Sequence, residues 1–298
     1  GRGALLSDAG GNRFLDFGSG ISVNALGYGR RDIARRAYRQ MRRLIHVSNL
    51  YTTEPAVHLA ERLIRLGDFE AVHFGNSGSE ANETAMKLAR MYALRTRGEG
   101  HHEFLCFSNA FHGRTMGALS CTPNEKYQKP FKPLVPGVRV AELNDIDDLK
   151  KKLTEECCAV LVEPVQGEGG LRHVDREFAR ALNERCRKLD VLMIADEIQT
   201  GLGRCGYPMA SQAVGLKPDI VNFAKPLAAG LPLSATLIPS RVNQLLNTGE
   251  HGTTFGGGPV TTAVADKVLD YVLDDSFLED VRNKGEFLAE KLQNLVQD

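Results

Sequence analysis

The sequence is dominated by an alternation of short apolar runs and helical patterns, which continues without a break from residue 71 to residue 223. The runs 159–162 and 191–195 are apolar at every position, not only at alternate positions. Strands of that kind are typical of a parallel sheet whose two faces are both covered by helices. We therefore predict an α/β fold with three αβα layers and a mostly parallel sheet.

Length and charge balance narrow the possible functions. The chain has 298 residues, which is enough for one large α/β domain or two smaller ones. Lys+Arg and Asp+Glu both number 37, so no net charge indicates a nucleic-acid or membrane partner. Residues 30–43 are locally basic, with seven arginines and one acid. This helix could contact nucleic acid or a membrane, but a solvated or subunit-facing surface fits the balanced chain better.

No targeting or membrane segment is recognisable. No apolar run approaches the length of a membrane span, and residues 1–4 lack the basic-then-apolar pattern of a secretory signal. None of the six cysteines forms a Cys-x-x-Cys motif, which favours a reducing compartment and free, structural thiols. The vicinal pair Cys157 and Cys158 could be a redox device, but packing at the start of a strand is preferred. We expect a cytoplasmic protein, or one of the mitochondrial matrix in a eukaryote.

A candidate anion site lies between the apolar run 71–74 and a helix predicted over about 80–95. The connecting residues 75–79 contain two glycines and two serines. Free backbone N–H groups, hydroxyls and the positive end of the helix would converge there, which favours phosphate binding. An ordinary capped turn is the alternative, because Ser77 and Ser79 both stand where they could cap the helix.

An acid and a lysine follow two of the predicted strands. Asp196 ends the run 191–195, and Lys225 follows the run 219–223. The carboxyl ends of parallel strands meet at one edge of the sheet, where α/β proteins bind their ligands. A lysine can hold an aldehyde cofactor as a Schiff base, and a carboxylate can keep the cofactor's ring nitrogen protonated. Asp196 and Lys225 together therefore predict a site for an aldehyde cofactor that is held as a Schiff base.

Two other motifs resemble binding sites but lack the sequence context that such sites need. Gly201, Gly203 and Gly206 match the spacing of a dinucleotide-binding loop, which would make the chain a nicotinamide dehydrogenase. That loop must follow a strand at once and open a helix, whereas residues 196–200 intervene and Tyr207-Pro208 oppose a helix start. The pair His101-His102 has no third ligand at useful spacing, so no metal site is expected.

Six motifs carry a resemblance to a known family: 76–82, 111–115, 163–168, 195–201, 224–227 and 252–257. Together they resemble the class III pyridoxal-phosphate aminotransferases of fold type I, and the resemblance covers the chain from Gly1 to Asp298. Within that family, residues 20–27 are most similar to the acetylornithine aminotransferase pattern. The resemblance implies the large domain of a fold type I transferase.

The resemblance also implies the cofactor contacts of pyridoxal 5'-phosphate. Lys225 would bind the cofactor covalently and shuttle protons, and Asp196 would pair with its ring nitrogen. The other implied contacts are Gln199 at the phenolic oxygen, Phe111 and Ile198 on the ring faces, Ser77, Gly78 and Ser79 at the phosphate, and Thr254 at the phosphate of the neighbouring subunit. The implied assembly is a homodimer with shared active sites.

On the substrate side, the resemblance implies that Arg114 binds a carboxylate and that Glu163 and Glu168 line the site. Ile21 stands where ornithine aminotransferases have a tyrosine, and the smaller apolar side chain would leave room for an acylated amine. The expected reaction moves the amino group of N2-acetyl-L-ornithine to 2-oxoglutarate through a pyridoxamine form of the cofactor, in arginine biosynthesis. Ornithine, succinylornithine or 4-aminobutyrate as donor remain alternatives, as does a truncated cofactor-binding relative with little activity.

The resemblance suggests a domain division. Residues 1–50 would be an N-terminal segment of the small domain and dimer contact, and residues 51–298 the cofactor-binding large domain ending in a linker helix. The family's C-terminal small domain is expected to be absent, and with it the arginine that pairs with the glutamate matching Glu168. The chain also departs from the family pattern at Cys205, Ala229, Ser234 and Gly258.

Overall fold

The computed structural model describes the backbone of residues 1–297; Asp298, the last residue of the expected large domain, lies outside them. The strands are β1 (Leu5–Ser7), β2 (Arg13–Leu15), β3 (Ala71–Gly75), β4 (Glu103–Phe107), β5 (Val138–Ala141), β6 (Cys157–Val162), β7 (Val165–Gln166), β8 (Arg172–His173), β9 (Leu192–Asp196), β10 (Ile220–Phe223) and β11 (Ser234–Ile238).

Helices alternate with these strands. They are α1 (Ser19–Ser22), α2 (Arg31–Met41), α3 (Glu54–Ile64), α4 (Gly78–Arg97), α5 (Met116–Ser120), α6 (Glu125–Gln128), α7 (Ile146–Lys152), α8 (Arg176–Leu189), α9 (Ala210–Val214), α10 (Ser240–Asn243), α11 (Pro259–Val272) and α12 (Asp275–Gln297), with 3-10 turns at Lys129–Phe131 and Lys225–Ala228. In the described part of the chain, none of these helices is long and apolar enough to cross a membrane.

Seven strands form the main sheet in the order β3-β11-β10-β9-β6-β4-β5. All neighbouring pairs are parallel except those of β11, which runs antiparallel to both β3 and β10. The predicted α/β fold with a mostly parallel sheet is thus confirmed. The pairs β1-β2 and β7-β8 form two small separate sheets.

Helices cover both faces of the main sheet. On one face, α4 packs its apolar side, including Ala85 and Leu88, against inward residues such as Phe104 and Ile194. On the other face, α3 and α11 cover the β3 end of the sheet, and α7 and α8 cover the β5 end. Because the central strands are buried on both sides, β6 is apolar at every position and β9 at every position except its last, Asp196.

Three local predictions differ from the structure: the sequence predicts a helix from about Arg31 to Leu44, a proline-rich surface loop at 123–136, and a capping box of Ser276 and Glu279 before the last helix. The arginine-rich helix ends at Met41, not at Leu44. The predicted surface loop 123–136 contains α6 and a 3-10 turn. The turn before α12 is capped by Asp274 and not by Ser276, because Oδ1 of Asp274 accepts hydrogen bonds from the backbone N–H groups of Ser276 and Phe277, both at 3.1 Å. The helix begins at Asp275, so Asp274 is the residue in the capping position and Ser276 lies within the first turn.

The interpretations of the arginine-rich helix and of the cysteines agree with the structure. The guanidinium of Arg36 donates to the carbonyl of Ala263 on α11, whereas several other arginines of α2, such as Arg35 and Arg39, are exposed. All six cysteines are free thiols, and five are buried. Burial raises the pKa of Cys158 to about 12, so this member of the vicinal pair is a structural thiol.

Candidate active site

A cavity of about 400 Å³ opens at the edge of the sheet where β3, β9 and β10 end. Most of the predicted site residues line it: Ser77, Gly78, Ser79, Phe111, Glu163, Asp196, Ile198, Gln199 and Lys225. They come from five separate stretches of the chain and meet because the strands that precede them end at one edge.

The N-terminus of α4 forms one wall of the cavity. Oγ of Ser77 accepts a hydrogen bond from the backbone N–H of Glu80 at 3.3 Å, which confirms Ser77 as the helix cap. Ser79 does not cap the helix; its Oγ accepts instead from the backbone N–H of Arg114 at 3.2 Å. The first N–H groups of a helix have no partner within the helix, so this wall is suited to an anion.

Close packing at this wall requires glycine at two positions. A Cβ on Gly78 would lie 2.8 Å from side-chain carbons of Ile198, and a Cβ on Gly113 would lie 2.2 Å from Oγ of Ser79. Gly113 also has a φ of +138°, which favours glycine. The backbone of the α4 N-terminus therefore lies directly against the segment after Asp196.

Asp196 lies at the centre of a buried hydrogen-bond network. Its Oδ2 accepts from Nδ2 of Asn82 at 2.8 Å and from Nδ1 of His112 at 2.7 Å, and its Oδ1 accepts from the backbone N–H of Ile198 at 3.1 Å. Nδ2 of Asn222 in turn donates to Oδ1 of Asn82 at 2.8 Å. Three donors stabilise the carboxylate anion although Asp196 is only 4% exposed.

His112 is a site residue that the sequence reasoning did not assign. Burial lowers the pKa of its imidazole, but the hydrogen bond and charge of Asp196, with the charge of Glu163, outweigh burial and raise the pKa to about 8. His112 therefore carries a positive charge at neutral pH and balances the buried carboxylate.

Asn82 and Asn222 were also missed, although the sequence holds a signal for each. Asn82 lies one helical turn after Gly78, so both face the same side of α4. Asn222 pairs in register with Asp196 across β10 and β9. A polar residue in an otherwise apolar, buried strand is normally hydrogen-bonded, and this one indicates a network.

Glu163 is a second buried carboxyl in the cavity wall. Its Oε1 accepts from the backbone N–H of Phe111 at 2.9 Å, and its side chain is almost completely buried. Burial raises the pKa of Glu163 to about 7, with the charge of Asp196 acting in the same direction and that of His112 opposing it. The group can thus gain or lose a proton near neutral pH.

Lys225 follows β10 and opens a 3-10 turn that places it in the cavity lining. Burial lowers the pKa of the Lys225 amine, although the carboxylates of Asp196, Glu168 and Glu163 oppose that shift. A lysine with a lowered pKa has a larger uncharged fraction, which is the nucleophilic form. The turn ends at Ala229 with φ +50°, a left-handed conformation that explains why the family pattern has glycine there.

Four predicted residues lie outside the cavity lining. Arg114 is exposed, and its guanidinium lies 3.7 Å from the centroid of the Tyr127 ring. Glu168 and Thr254 are exposed as well. Ile21 is 71% exposed, and Val23 from the same segment lines the cavity instead.

The glycine-rich match at 201–206 has no helix at its start. Residues 201–206 form turns, and the next helix is α9 at Ala210–Val214. Gly203 and Gly206 have φ values of +86° and +78°, so the turn itself requires these glycines. The structure thus confirms that this match lacks the strand–turn–helix context of a dinucleotide site.

Comparison with known proteins agrees with this geometry. The probable mitochondrial acetylornithine aminotransferase of Dictyostelium discoideum is 44% identical over 99% of this chain, and the acetylornithine aminotransferase of Clostridium acetobutylicum is 43% identical over 100% of it. The chain spans 66% and 77% of those two proteins. An ornithine aminotransferase from Toxoplasma gondii, with partial occupancy of PLP at its active site, superposes with a TM-score of 0.94 at 30% identity, covering 99% of this chain and 71% of that one.

The family model "Aminotransferase class-III" matches residues 1–298. The curated relatives, the superposed structure and the family model agree along nearly the whole length, and residues from five of the six motifs line one cavity. The chain belongs to the class-III aminotransferase family.

Proposed function

We propose that this chain is the cofactor-binding part of a pyridoxal 5'-phosphate-dependent aminotransferase that transfers an amino group from N2-acetyl-L-ornithine to 2-oxoglutarate. One observation carries the proposal: the lysine amine with a lowered pKa, the buried Asp196 and the N-terminus of α4 all line one cavity. The relatives at 43–44% identity bear the name acetylornithine aminotransferase, which supports this donor over the alternatives.

The donor set fits the proposed cofactor. An anionic phosphate suits the first turn of α4, where Ser77, Gly78 and Ser79 line the cavity and Gly78 allows close approach. An aldehyde suits the amine of Lys225. A protonated ring nitrogen suits Asp196, which remains a hydrogen-bond acceptor beside a cationic His112.

The bound cofactor supplies a carbonyl that condenses with amines and a protonated pyridine ring that withdraws electrons from the adjacent carbon. The chain's own residues do the rest. The uncharged amine of Lys225 would take a proton from the substrate carbon and return it to a nearby carbon. Only the uncharged amine can accept a proton, so this role needs a Lys225 pKa below the ordinary lysine value. Phe111 and Ile198 add apolar side chains to the lining of this cavity.

The homodimer belongs to the same proposal. Thr254 and Phe255 are exposed, Phe255 at 65%, on a loop outside this chain's cavity. An exposed aromatic beside the expected phosphate-binding threonine fits a loop that is buried by a second subunit. We also propose residues 51–298 as the cofactor-binding domain, since every strand of the main sheet lies within them.

Covalent cofactor attachment tests the proposal. The chain is mixed with pyridoxal phosphate, reduced with borohydride and digested, and mass spectrometry locates the added mass. We expect it on the peptide containing Lys225, and we expect Lys225→Ala to lose it. The matched control is Lys217→Ala, an exposed lysine before the same strand, which should keep the label. Label elsewhere, or none, would overturn the proposal.

The amino donor is tested separately. Acetylornithine, ornithine, succinylornithine and 4-aminobutyrate are compared at equal concentration with 2-oxoglutarate as acceptor, and glutamate is measured. The largest kcat/KM is expected for acetylornithine. Faster turnover of free ornithine would replace the proposed donor, and a labelled protein with no turnover would leave only cofactor binding.

A further inference from the structure

A cluster of two histidines, a lysine and a threonine joins the start of the glycine-rich loop 251–258 to α4 and β3. None of its members lines the active-site cavity. Nε2 of His251 lies 3.0 Å from Oγ1 of Thr84, and Nδ1 of His251 lies 2.9 Å from Nζ of Lys87. The His73 ring stacks on the His251 ring with centroids 4.4 Å apart and an interplanar angle of 30°. The first residue of the loop is therefore attached to both α4 and β3.

These contacts require a neutral imidazole on His251. An ammonium can only donate, so Nδ1 of His251 must accept the hydrogen bond from Lys87, which leaves the proton on Nε2 to be donated to Thr84. The titratable groups that face His251 are Lys87 from α4 and His73 from β3, and burial lowers the pKa of His73 to about 4, so His73 is uncharged near neutral pH. The preceding Glu250 is paired with Arg95. Protonation of His251 would place two cations in contact. Burial and then the charge of Lys87 do lower the pKa of His251.

The rest of the loop is held closely as well. The carbonyl of Thr253 accepts from Nδ2 of Asn49 at 3.0 Å, and Oγ1 of Thr253 accepts from the backbone N–H of Gly256 at 3.3 Å. A Cβ on Gly256 would lie 2.0 Å from the carbonyl oxygen of Phe74 in β3, so the loop backbone touches the sheet directly. Thr254 lies between these fixed points, and its side chain is exposed.

We propose that His251 is a positioning residue, whose neutral imidazole ties loop 251–258 to α4 and thereby fixes Thr254 in the orientation that reaches the neighbouring subunit's phosphate. This inference rests on the proposed function, in which Thr254 serves that phosphate. Helix α4 contributes its N-terminus to its own cavity and, about two turns later, holds the loop for the partner's cavity through Thr84 and Lys87. The helix thus connects the two sites of the proposed dimer.

The first test uses a double-mutant cycle on cofactor affinity, with His251→Ala, Thr254→Ala and the double variant. Loss of two hydrogen bonds, one from a charged donor, is expected to weaken cofactor binding by about tenfold in His251→Ala. If His251 acts through Thr254, the double variant binds no more weakly than Thr254→Ala alone. His58→Ala removes an imidazole that pairs with Asp266 away from the loop, and it is expected to bind as the parent does. Additive losses would overturn the proposal.

The second test needs no cofactor. Amide hydrogen exchange at Gly256 and Gly258, whose N–H groups are bonded within the loop, is expected to become faster in His251→Ala than in the parent. His251→Gln keeps one donor and one acceptor and is expected to restore slow exchange. Unchanged exchange in His251→Ala would overturn the inference. A parent chain that binds no cofactor would instead contradict the proposed function. The exchange rates would still decide whether His251 holds the loop.

The third test uses pH. Because the neutral form of His251 makes the contacts, parent affinity is expected to fall below that of His251→Gln as the solution is acidified below the ordinary histidine pKa of about 6.5. Both proteins bind the same cofactor, so the ratio of their affinities removes the effect of the cofactor's own titration. A ratio that stays constant with pH would contradict the proposed role of the neutral imidazole.

Discussion

Nδ1 of His112 lies 2.7 Å from Oδ2 of Asp196, and both side chains are almost completely buried. The pair joins two segments 84 residues apart in sequence. Since Asp196 raises the pKa of His112 to about 8, the pair is an imidazolium–carboxylate ion pair at neutral pH. Breaking one partner of such a pair leaves an uncompensated buried charge, which is usually strongly destabilising.

The stability of the protein should depend on the charge of His112. The folded-state pKa of about 8 lies above the unfolded value, so the folded state binds the proton more tightly. The stabilisation is complete below about pH 6.5 and is lost as pH rises through about 8, and it amounts to about 2 kcal/mol. We expect the free energy of unfolding in urea to fall over that range and to fall less in His112→Asn. His58→Asn serves as the control; equal slopes in all three proteins would contradict the assignment.

Glu163→Gln should stabilise the protein at high pH. The pKa of Glu163 is raised from 4.5 to about 7 in the folded state, so the folded state binds the proton more tightly and stability is lost as pH rises from about 4.5 through about 7, whereas the amide cannot ionise. The amide still accepts the hydrogen bond from Phe111. We expect a gain of about 1 kcal/mol or more at pH 8 and little change at pH 5. The exposed Glu125→Gln is the control. A loss of stability at pH 8 would show that Glu163 is ionised and required.

Asn82→Ala should be strongly destabilising. The change removes the donor to Asp196 and to the carbonyl of His112, and it leaves Nδ2 of Asn222 without its acceptor. Orphaning buried polar groups is expected to cost roughly 2–4 kcal/mol. The control Asn183→Ala removes two hydrogen bonds to backbone groups, and both of these bonds are exposed to solvent. Its cost should be about 1 kcal/mol or less because water replaces the lost partners. Equal urea midpoints for the two variants would rule out the network.

Gly78→Ala should weaken cofactor binding. The added Cβ would clash with Ile198 at 2.8 Å, so either Ile198 or the α4 N-terminus must move. Ten- to hundredfold weaker binding, roughly 1.4–3 kcal/mol, is expected in a cofactor titration. Gly285→Ala is the matched control: it lies inside α12 in open space and should stabilise the protein by about 0.5–1 kcal/mol. Unchanged affinity in Gly78→Ala would place the phosphate elsewhere.

The sheet and most of the cavity could be predicted from the sequence because their signals are local. Apolar runs of strand length and helix-starting residues mark each unit, and parallel strands bring the residues at their carboxyl ends, including Asp196 and Lys225, to one edge. The antiparallel insertion of β11 between β3 and β10 carries no local signal, because any buried strand has the same apolar pattern in either direction. Strand order is decided by packing over long sequence distances.

The partners in the hydrogen-bond network behind Asp196 could not be predicted for the same reason, although a polar residue such as Asn222 in a buried strand indicates that some network exists. His112, Asn82 and Asn222 come from three separate segments, and each has an ordinary local role as a turn, helix or strand residue. Their meeting point depends on the register of β9 and β10 and on how α4 crosses the sheet. Helix α6 within the predicted loop 123–136 was missed for a different reason, since the prolines of that segment indicate turns and conceal a four-residue helix.

The position of β11 also sets a length. Gly75 at the end of β3 pairs with Ser234, and Ala235 pairs with Phe223 at the end of β10, so the start of β11 separates the two ends by two strand spacings. At about 4.8 Å per spacing, the ends of β3 and β10 lie roughly 10 Å apart. The segments that lead to α4 and to Lys225 start from these two ends, and backbone hydrogen bonds between the strands fix the interval. Side-chain substitutions can therefore change the groups that a ligand meets, whereas the spacing of the two segments is set by the strand order.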